Sequence, residues 1–162
     1  MLPITADTTD YQTAFGFDFG TKRMGVAFGQ RVTGTASALE PIPAKDGIPD
    51  WSQIEKLLKT WQPQCLVIGI PFNMDGSVSE MAKRARKFAN RLHERFKLPC
   101  FIIDERLTTR EAKEIHHAAG GSHQYRKDPV DSIAAQLILE DWFASPTLFP
   151  SHTPLESLYG IR

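Results

Sequence analysis

No apolar run in the 162 residues approaches the roughly 20 that a membrane-spanning helix requires, so none is expected. The N-terminal MLPITADTTDYQ has neither the basic nor the apolar segment of a secretory signal, and a cytoplasmic location is expected. Cysteine is scarce. Cys65 in QCLVIGI and Cys100 in PCFIIDE lack CxxC spacing, which removes a metal or redox signature and leaves two small hydrophobes in apolar surroundings. His116, His117 and His123 come with no HExxH and no paired Cys/His spacing, so zinc is not indicated and they read as surface or loop residues. Net charge is also missing: 19 basic and 19 acidic residues sum to zero, so any polyanion partner must be met by local patches.

What is present is ordinary in bulk and unusual in placement. Apolar content of 41% and charged content of 23% suit one compact domain, without internal repeats or low-complexity segments. Residues 1–13 read as a loose tail, 14–144 as the domain and 145–162 as a C-terminal tail with little signal. Residues 14–19 and 24–29 read as strands joined by a Gly-Thr-Lys-Arg turn, with a third antiparallel strand over 33–39. The prolines of EPIPAKDGIPD predict a loop. Asp50 is placed to cap a helix reaching Trp61. Cys65 to Ile70 and Cys100 to Ile103 read as strands buried on both faces. Between them Ser79 opens a helix to Phe96, whose Met81, Ala85, Phe88, Leu92 and Phe96 recur every three or four residues. Helices over 109–118 and 129–143 complete the chain. An α/β fold follows, of the ribonuclease H-like kind: a mixed five-stranded sheet, three antiparallel strands then two parallel, flanked by helices.

Three carboxylates occupy odd places in this scheme. Asp18 lies within an apolar strand-like run, sharing its face with Gly16 and Gly20, so little bulk blocks a ligand; a solvent-facing strand residue explains it equally well. Glu105 follows a strand end, where open sheets commonly bind ligands, although an acidic loop with Asp104 pairing to Arg106 or Arg110 competes. Asp131 stands in the first turn of a helix that Asp128 can cap and Pro129 can begin, and ordinary helix-start rules account for all three. Together the carboxylates could converge on two magnesium (or manganese) ions, which hold a phosphate, activate a water and stabilise the leaving oxygen.

GFDFGTKRMGVA, GIPFNMDGS, DERLTTREA and VDSIAAQLIL, spread over about Ala14 to Trp142, resemble the motifs of the YqgF family, which is described both as RuvC-like Holliday junction resolvases and as pre-16S rRNA nucleases. The resemblance implies a ribonuclease H-like fold and metal-dependent phosphodiester hydrolysis, with Asp18, Glu105 and Asp131 as the acidic triad. Related enzymes use a fourth acidic ligand. Asp128, one helical turn before Asp131, is the candidate, and its reading as a cap is favoured.

Basic residues close in sequence to the carboxylates, namely Lys22, Arg23, Arg106, Arg110, Arg126 and Lys127, are placed to neutralise phosphates, and Thr21, Thr108 and Thr109 add hydroxyls. Arg84, Lys87, Arg91 and Arg95 form a helical stripe that reads as solvated surface. The loop Asn73 to Ser77 is a turn or, in a nuclease, the rim of the site. Processing of the 5′ end of pre-16S rRNA is the expected function, with cleavage of four-way DNA junctions, which needs a dimer, as the alternative. An RNA-binding assembly factor without catalysis is the non-enzymatic alternative, and the carboxylates argue against it. Asp18-Phe-Gly-Thr21 also resembles a phosphate loop of actin-like ATPases, but those enclose ATP between two domains and this chain has room for one.

Overall fold

The computed structural model describes residues 4–5, 11–105, 130–145 and 147–159. Its elements in chain order are β1 (Ile4–Thr5), β2 (Thr13–Asp18), β3 (Arg23–Gln30), β4 (Thr35–Lys45), β5 (Ile48–Pro49), α1 (Trp51–Trp61), β6 (Cys65–Ile70), α2 (Glu80–Phe96), β7 (Cys100–Asp104), α3 (Val130–Ala144), β8 (Thr147–Pro150) and α4 (Glu156–Tyr159). The strands form one sheet ordered β1-β8-β7-β6-β2-β3-β4-β5. Its centre is the expected one: β2, β3 and β4 are an antiparallel meander, while β6 pairs parallel with β2 and β7 parallel with β6.

Among the described residues, eight strands stand where five are expected. The additional ones are short edge segments that carry little apolar alternation. β8 comes from the stretch after Ser145, pairs antiparallel with β7, and is itself joined by β1. EPIPAKDGIPD is not a loop. β4 continues through Lys45 and turns into β5 at Asp46-Gly47, both at positive φ (49° and 81°), as a tight hairpin turn requires. The Ala44 N–H donates to the Lys22 carbonyl at 2.8 Å. By alternation, Pro43 therefore turns its nitrogen away from β3, where a missing donor costs no β3–β4 ladder bond, and its carbonyl accepts from the Asp50 N–H at 3.4 Å. The expected helix over 109–118 lies outside the described residues.

The two faces of the sheet carry different side chains. Phe15, Phe17, Met24, Val26, Leu66, Ile68, Ile70 and Ile102 build the larger core against α1 and α2, joined by Leu155 and Leu158 at the C-terminal end. α1 is capped by Asp50, whose carboxylate accepts from the Ser52 hydroxyl and N–H; the hydroxyl bond is the main reason the Asp50 carboxyl sits below its usual range. α2 is capped by Ser79, which accepts from the Ala82 N–H at 2.9 Å and donates to the Pro71 carbonyl at 2.7 Å.

The other face is small. β2 contributes Ala14 and Gly16, β3 contributes Gly25, Ala27 and Gly29, and β4 contributes Ala36, so that α3 lies directly on backbone. A Cβ on Gly16 would come 2.9 Å from the Ala135 carbonyl and 2.7 Å from Leu139 Cγ, and one on Gly29 would come 2.9 Å from the Phe143 ring. α3 is apolar almost all round, as a helix covered on most sides must be, with Ala135, Ile138, Leu139 and Trp142 buried. Arg31 pins its C-terminal end, donating to the Phe143 carbonyl at 3.5 Å and lying 4.9 Å over Trp142.

Cys65 and Cys100 are free and buried, one beneath each helix layer. Burial pushes both thiols up, Cys100 to about 12, so almost no thiolate exists at neutral pH. A thiol reagent at pH 8 is therefore expected to label neither cysteine in the native protein and both after denaturation. Rapid native labelling of either would contradict the packing.

Candidate active site

Asp18 is the last residue of β2, half-buried, on the face that α3 covers. Its partner across β3 is Gly25. On the other side, the β2–β6 ladder runs from Ala14↔Cys65 to Phe17↔Ile68, so its next step sets Asp18 beside Gly69. The carboxylate thus stands between two residues without side chains, and Gly16 precedes it on the same face. The strand alternation that fills the opposite face with Phe15 and Phe17 leaves a well here.

Glu105 enters that well from the far side of β6. Its N–H donates to the Ile70 carbonyl at 3.1 Å, which fixes the residue at the end of the β6–β7 ladder. Alternation from Phe101 and Ile103 points its side chain to the α3 face. The side chain folds back over Gly69: a Cβ there would lie 2.9 Å from Glu105 Cδ, and 2.6 Å from Ile138 Cδ1. Glu105 is 1% exposed, so the reading of an acidic solvent-facing loop fails for this residue. Asp104, next to it, has the opposite orientation and shares a face with Ile102.

The third carboxylate enters by backbone position alone. α3 packs Phe143 near Gly29 and Leu139 with Ala135 on Gly16, so its N-terminal end runs toward Asp18. Position 131 lies one turn before Ala135 on the same helix face. The side chain of Asp131 is outside the described set, as are Asp128, Arg126, Lys127, Arg106, Thr108, Thr109, Arg110 and the histidines at 116, 117 and 123. Ser132, which the sequence did not single out, is 1% exposed with no partner for its hydroxyl among the described residues.

Lys22 and Arg23 are exposed at the β2–β3 turn, at the same end of the sheet as Asp18, and Thr21 beside them is half-buried. The loop after β6 is a closed turn. Asp75 accepts from the Ser77 N–H at 2.9 Å and from its hydroxyl at 2.6 Å, the Gly76 N–H donates to the Asn73 carbonyl, and Gly76 takes φ 90°. These bonds favour the turn reading of Asn73 to Ser77, at the rim of the carboxylate end.

A family described as "RuvX: Holliday junction resolvase" matches residues 12–145. The chain belongs to the RuvX family. A relative from Saccharophagus degradans named "Putative pre-16S rRNA nuclease" is 58% identical over 132 residues, covering 82% of this chain and 93% of that protein. A relative of the same name from Chromohalobacter salexigens is 60% identical over 131 residues, covering 81% and 88%. Among solved structures, T. thermophilus RuvC in complex with Holliday junction substrate superposes with a TM-score of 0.56 at 14% identity, covering 86% of this chain and 99% of that one. At that identity the likeness speaks for the fold, which is RuvC-like, and the expected ribonuclease H-like class holds.

Does the RuvX site suit a divalent cation? Among the described residues, no group of three or more His, Cys, Asp or Glu side chains could hold a metal ion. The two described carboxylates nevertheless fit one. They offer hard oxygen donors of the kind magnesium and manganese prefer, over a glycine floor that keeps hydrocarbon away. A cation beside them would also offset the cost of burying a glutamate this deeply.

Gly69→Ala tests the floor. Its new methyl group collides with Glu105 and Ile138, and a displacement of about 1 Å is expected to lower cleavage on the order of 10²-fold. Overpacking of this size costs about 1–3 kcal/mol of stability, which thermal melting measures separately. A Gly69→Ala variant as active as the parent would contradict the placement of Glu105.

Proposed function

We propose that this chain is a divalent-metal-dependent nuclease that hydrolyses phosphodiester bonds in structured nucleic acid, with precursor 16S rRNA as its substrate. One observation carries the reading: Asp18 and Glu105 share one face at the carboxyl ends of β2 and β7, the two parallel strands that flank β6, over Gly69. Open α/β sheets bind ligands at such ends. A binding protein gains nothing from a buried carboxylate turned toward phosphate, whereas a phosphodiesterase needs one.

Asp18, Glu105 and Asp131 would be the ligands, holding one or two Mg²⁺ or Mn²⁺ ions. A bound ion supplies Lewis acidity toward the scissile phosphate and lowers the pKa of a water beside it. The chain's own contribution is position. Asp18 is held by two ladders, Glu105 by its bond to Ile70, and Asp131 by the seating of α3 on Gly16. α3 covers this face and excludes bulk water from below, which strengthens every charge interaction inside. Ser132, buried in the first turn of α3 with no partner for its hydroxyl among the described residues, is proposed to donate to a carboxylate of the site. Lys22 and Arg23 extend from the neighbouring turn to meet flanking phosphates. Arg106, Thr109, Arg110, Arg126 and Lys127 are proposed for the same task, and Asp128 as the helix cap with a fourth ligand role as its alternative.

A second reading, resolution of four-way DNA junctions, is favoured by the family description. It requires two sites and therefore a homodimer, whereas the rRNA reading is compatible with a monomer. The RuvX relatives named for rRNA processing weight the first. A cytoplasmic location suits either substrate. Among the described residues, no helix is long and apolar enough to cross a membrane.

Purified protein with magnesium or manganese is expected to cut a precursor rRNA carrying the 5′ leader of 16S, and Asp18→Asn to lower that rate by at least about 10²-fold with little change in melting temperature. Preferential cutting of a four-way junction by a dimer would select the second reading. Cleavage of neither substrate, or an Asp18→Asn variant as active as the parent, would remove the nuclease assignment.

A further inference from the structure

The sheet face opposite the carboxylates carries a groove that the proposed chemistry does not use. Its walls are α2 and the β4–β5 hairpin. One part, about 220 Å³, lies between Phe19, Asp46, Gly47 and the helix residues Arg84, Lys87 and Arg91. It meets a second part of about 530 Å³, lined by Ile48, Trp51, Arg91, Glu94 and Arg95, at Ile48 and Arg91.

The groove is built rather than incidental. The Gly47 N–H donates to the Thr21 carbonyl at 2.9 Å, tying the hairpin to the β2–β3 turn. Arg84 donates to the Asp46 carbonyl at 2.8 Å and pairs with its carboxylate at 3.3 Å, tying the hairpin to α2. A side chain at position 47 would meet the Arg84 guanidinium and the Phe19 ring, so glycine is required by contact as well as by φ. Arg95 lies 4.2 Å over the Trp51 ring, which holds its charge at the groove's far end.

Its charge is one-sided. Arg84, Lys87, Arg91 and Arg95 face Asp46 and Glu94, and Asp46 is already held by Arg84. Lys87 and Arg91 are exposed and form no ion pair among the described residues. Ile48, 53% exposed, adds an apolar surface at the junction of the two parts. From Arg84 to Arg95 the stripe spans about 16 Å of helix. It starts beside the β2–β3 turn that carries Lys22 and Arg23, within a few residues of Asp18 in the same chain segment.

We infer that this groove binds an unpaired nucleic-acid strand leaving the carboxylate site, which passes over the β2–β3 turn and lays its phosphates along Lys87 and Arg91. The inference takes its starting point from the nuclease reading and names the form of substrate that reading requires: structured nucleic acid with a single-stranded extension. A channel of this size, with cations on one wall and an isoleucine at its middle, suits the backbone and splayed bases of a single strand. A duplex presents its phosphates on a broad cylinder and keeps its bases inside.

Binding, not cleavage, is the readout, so failure of the nuclease reading would not be mistaken for failure of this one. An RNA hairpin with a single-stranded uridine tail and the same hairpin with blunt ends are titrated by fluorescence anisotropy across a salt series. Lys87→Glu/Arg91→Glu is expected to weaken tailed-hairpin binding about tenfold and flatten its salt dependence by about 1.4 in slope, with blunt-hairpin affinity held within about twofold. Lys87→Gln/Arg91→Gln should act in the same direction to a smaller extent, which guards against misfolding of the charge-reversed protein. Equal binding of tailed and blunt hairpins by the parent, or tail binding unaffected by both variants, would overturn the inference.

Discussion

Direct contact between helix α3 and the backbone of the sheet sets the geometry of the proposed carboxylate site. Helices normally rest on a layer of side chains; here Gly16 and Gly29 remove that layer, and Ala135, Leu139 and Phe143 occupy its place. Contact that close tolerates little sliding, because a backbone carbonyl, unlike a side-chain tip, has no rotamer into which to retreat. The helix is therefore fixed in height and register, and its first turn is delivered to the end of β2. Gly69 extends the same device to β6, where the space it leaves is shared by Ile138 of the helix and the side chain of Glu105.

The division of labour between the faces follows from that. Phe15, Phe17, Phe88 and the branched residues of β6 provide the bulk of apolar burial on the α1–α2 side. The α3 side can then spend its positions on small residues and on carboxylates, at a cost in burial that a single-core domain of this size would otherwise feel. Charge is divided in a similar way. A chain of zero net charge places acids in the well and exposed cations on α2 and the β2–β3 turn, so that the local fields oppose each other across the sheet edge.

The sequence made the central sheet legible because its strands are continuous apolar runs and its helices carry clean caps: Asp50, Ser79 and the run Cys65–Ile70 read true to the residue. It failed where tertiary context overrides local preference. Prolines in EPIPAKDGIPD signal a loop, yet Pro43 joins a strand by turning its nitrogen away from β3, and Pro49 by lying on the edge strand β5; β8 and β1 are too short to carry a pattern. Asp18 and Glu105 stood out by their placement, but the alternatives to a shared site could not be separated without the β2–β6 register. Gly69 was invisible for a plainer reason. A glycine in CLVIGI looks like a pause in a strand until a glutamate from the next strand is seen lying across it. The basic stripe on α2 was likewise indistinguishable from solvated surface until the hairpin closed one side of it.

The account stands on Asp18 and Glu105 acting on one bound cation. A double-mutant cycle on Mn²⁺ affinity, measured by calorimetry for the parent, Asp18→Asn, Glu105→Gln and the pair, addresses this without nucleic acid. Each single change is expected to weaken binding about 10- to 100-fold, and the double change to weaken it by much less than the product, because both residues serve the same ion. Losses that multiply as for independent sites, or a parent that binds Mn²⁺ no better than the double variant, would contradict it.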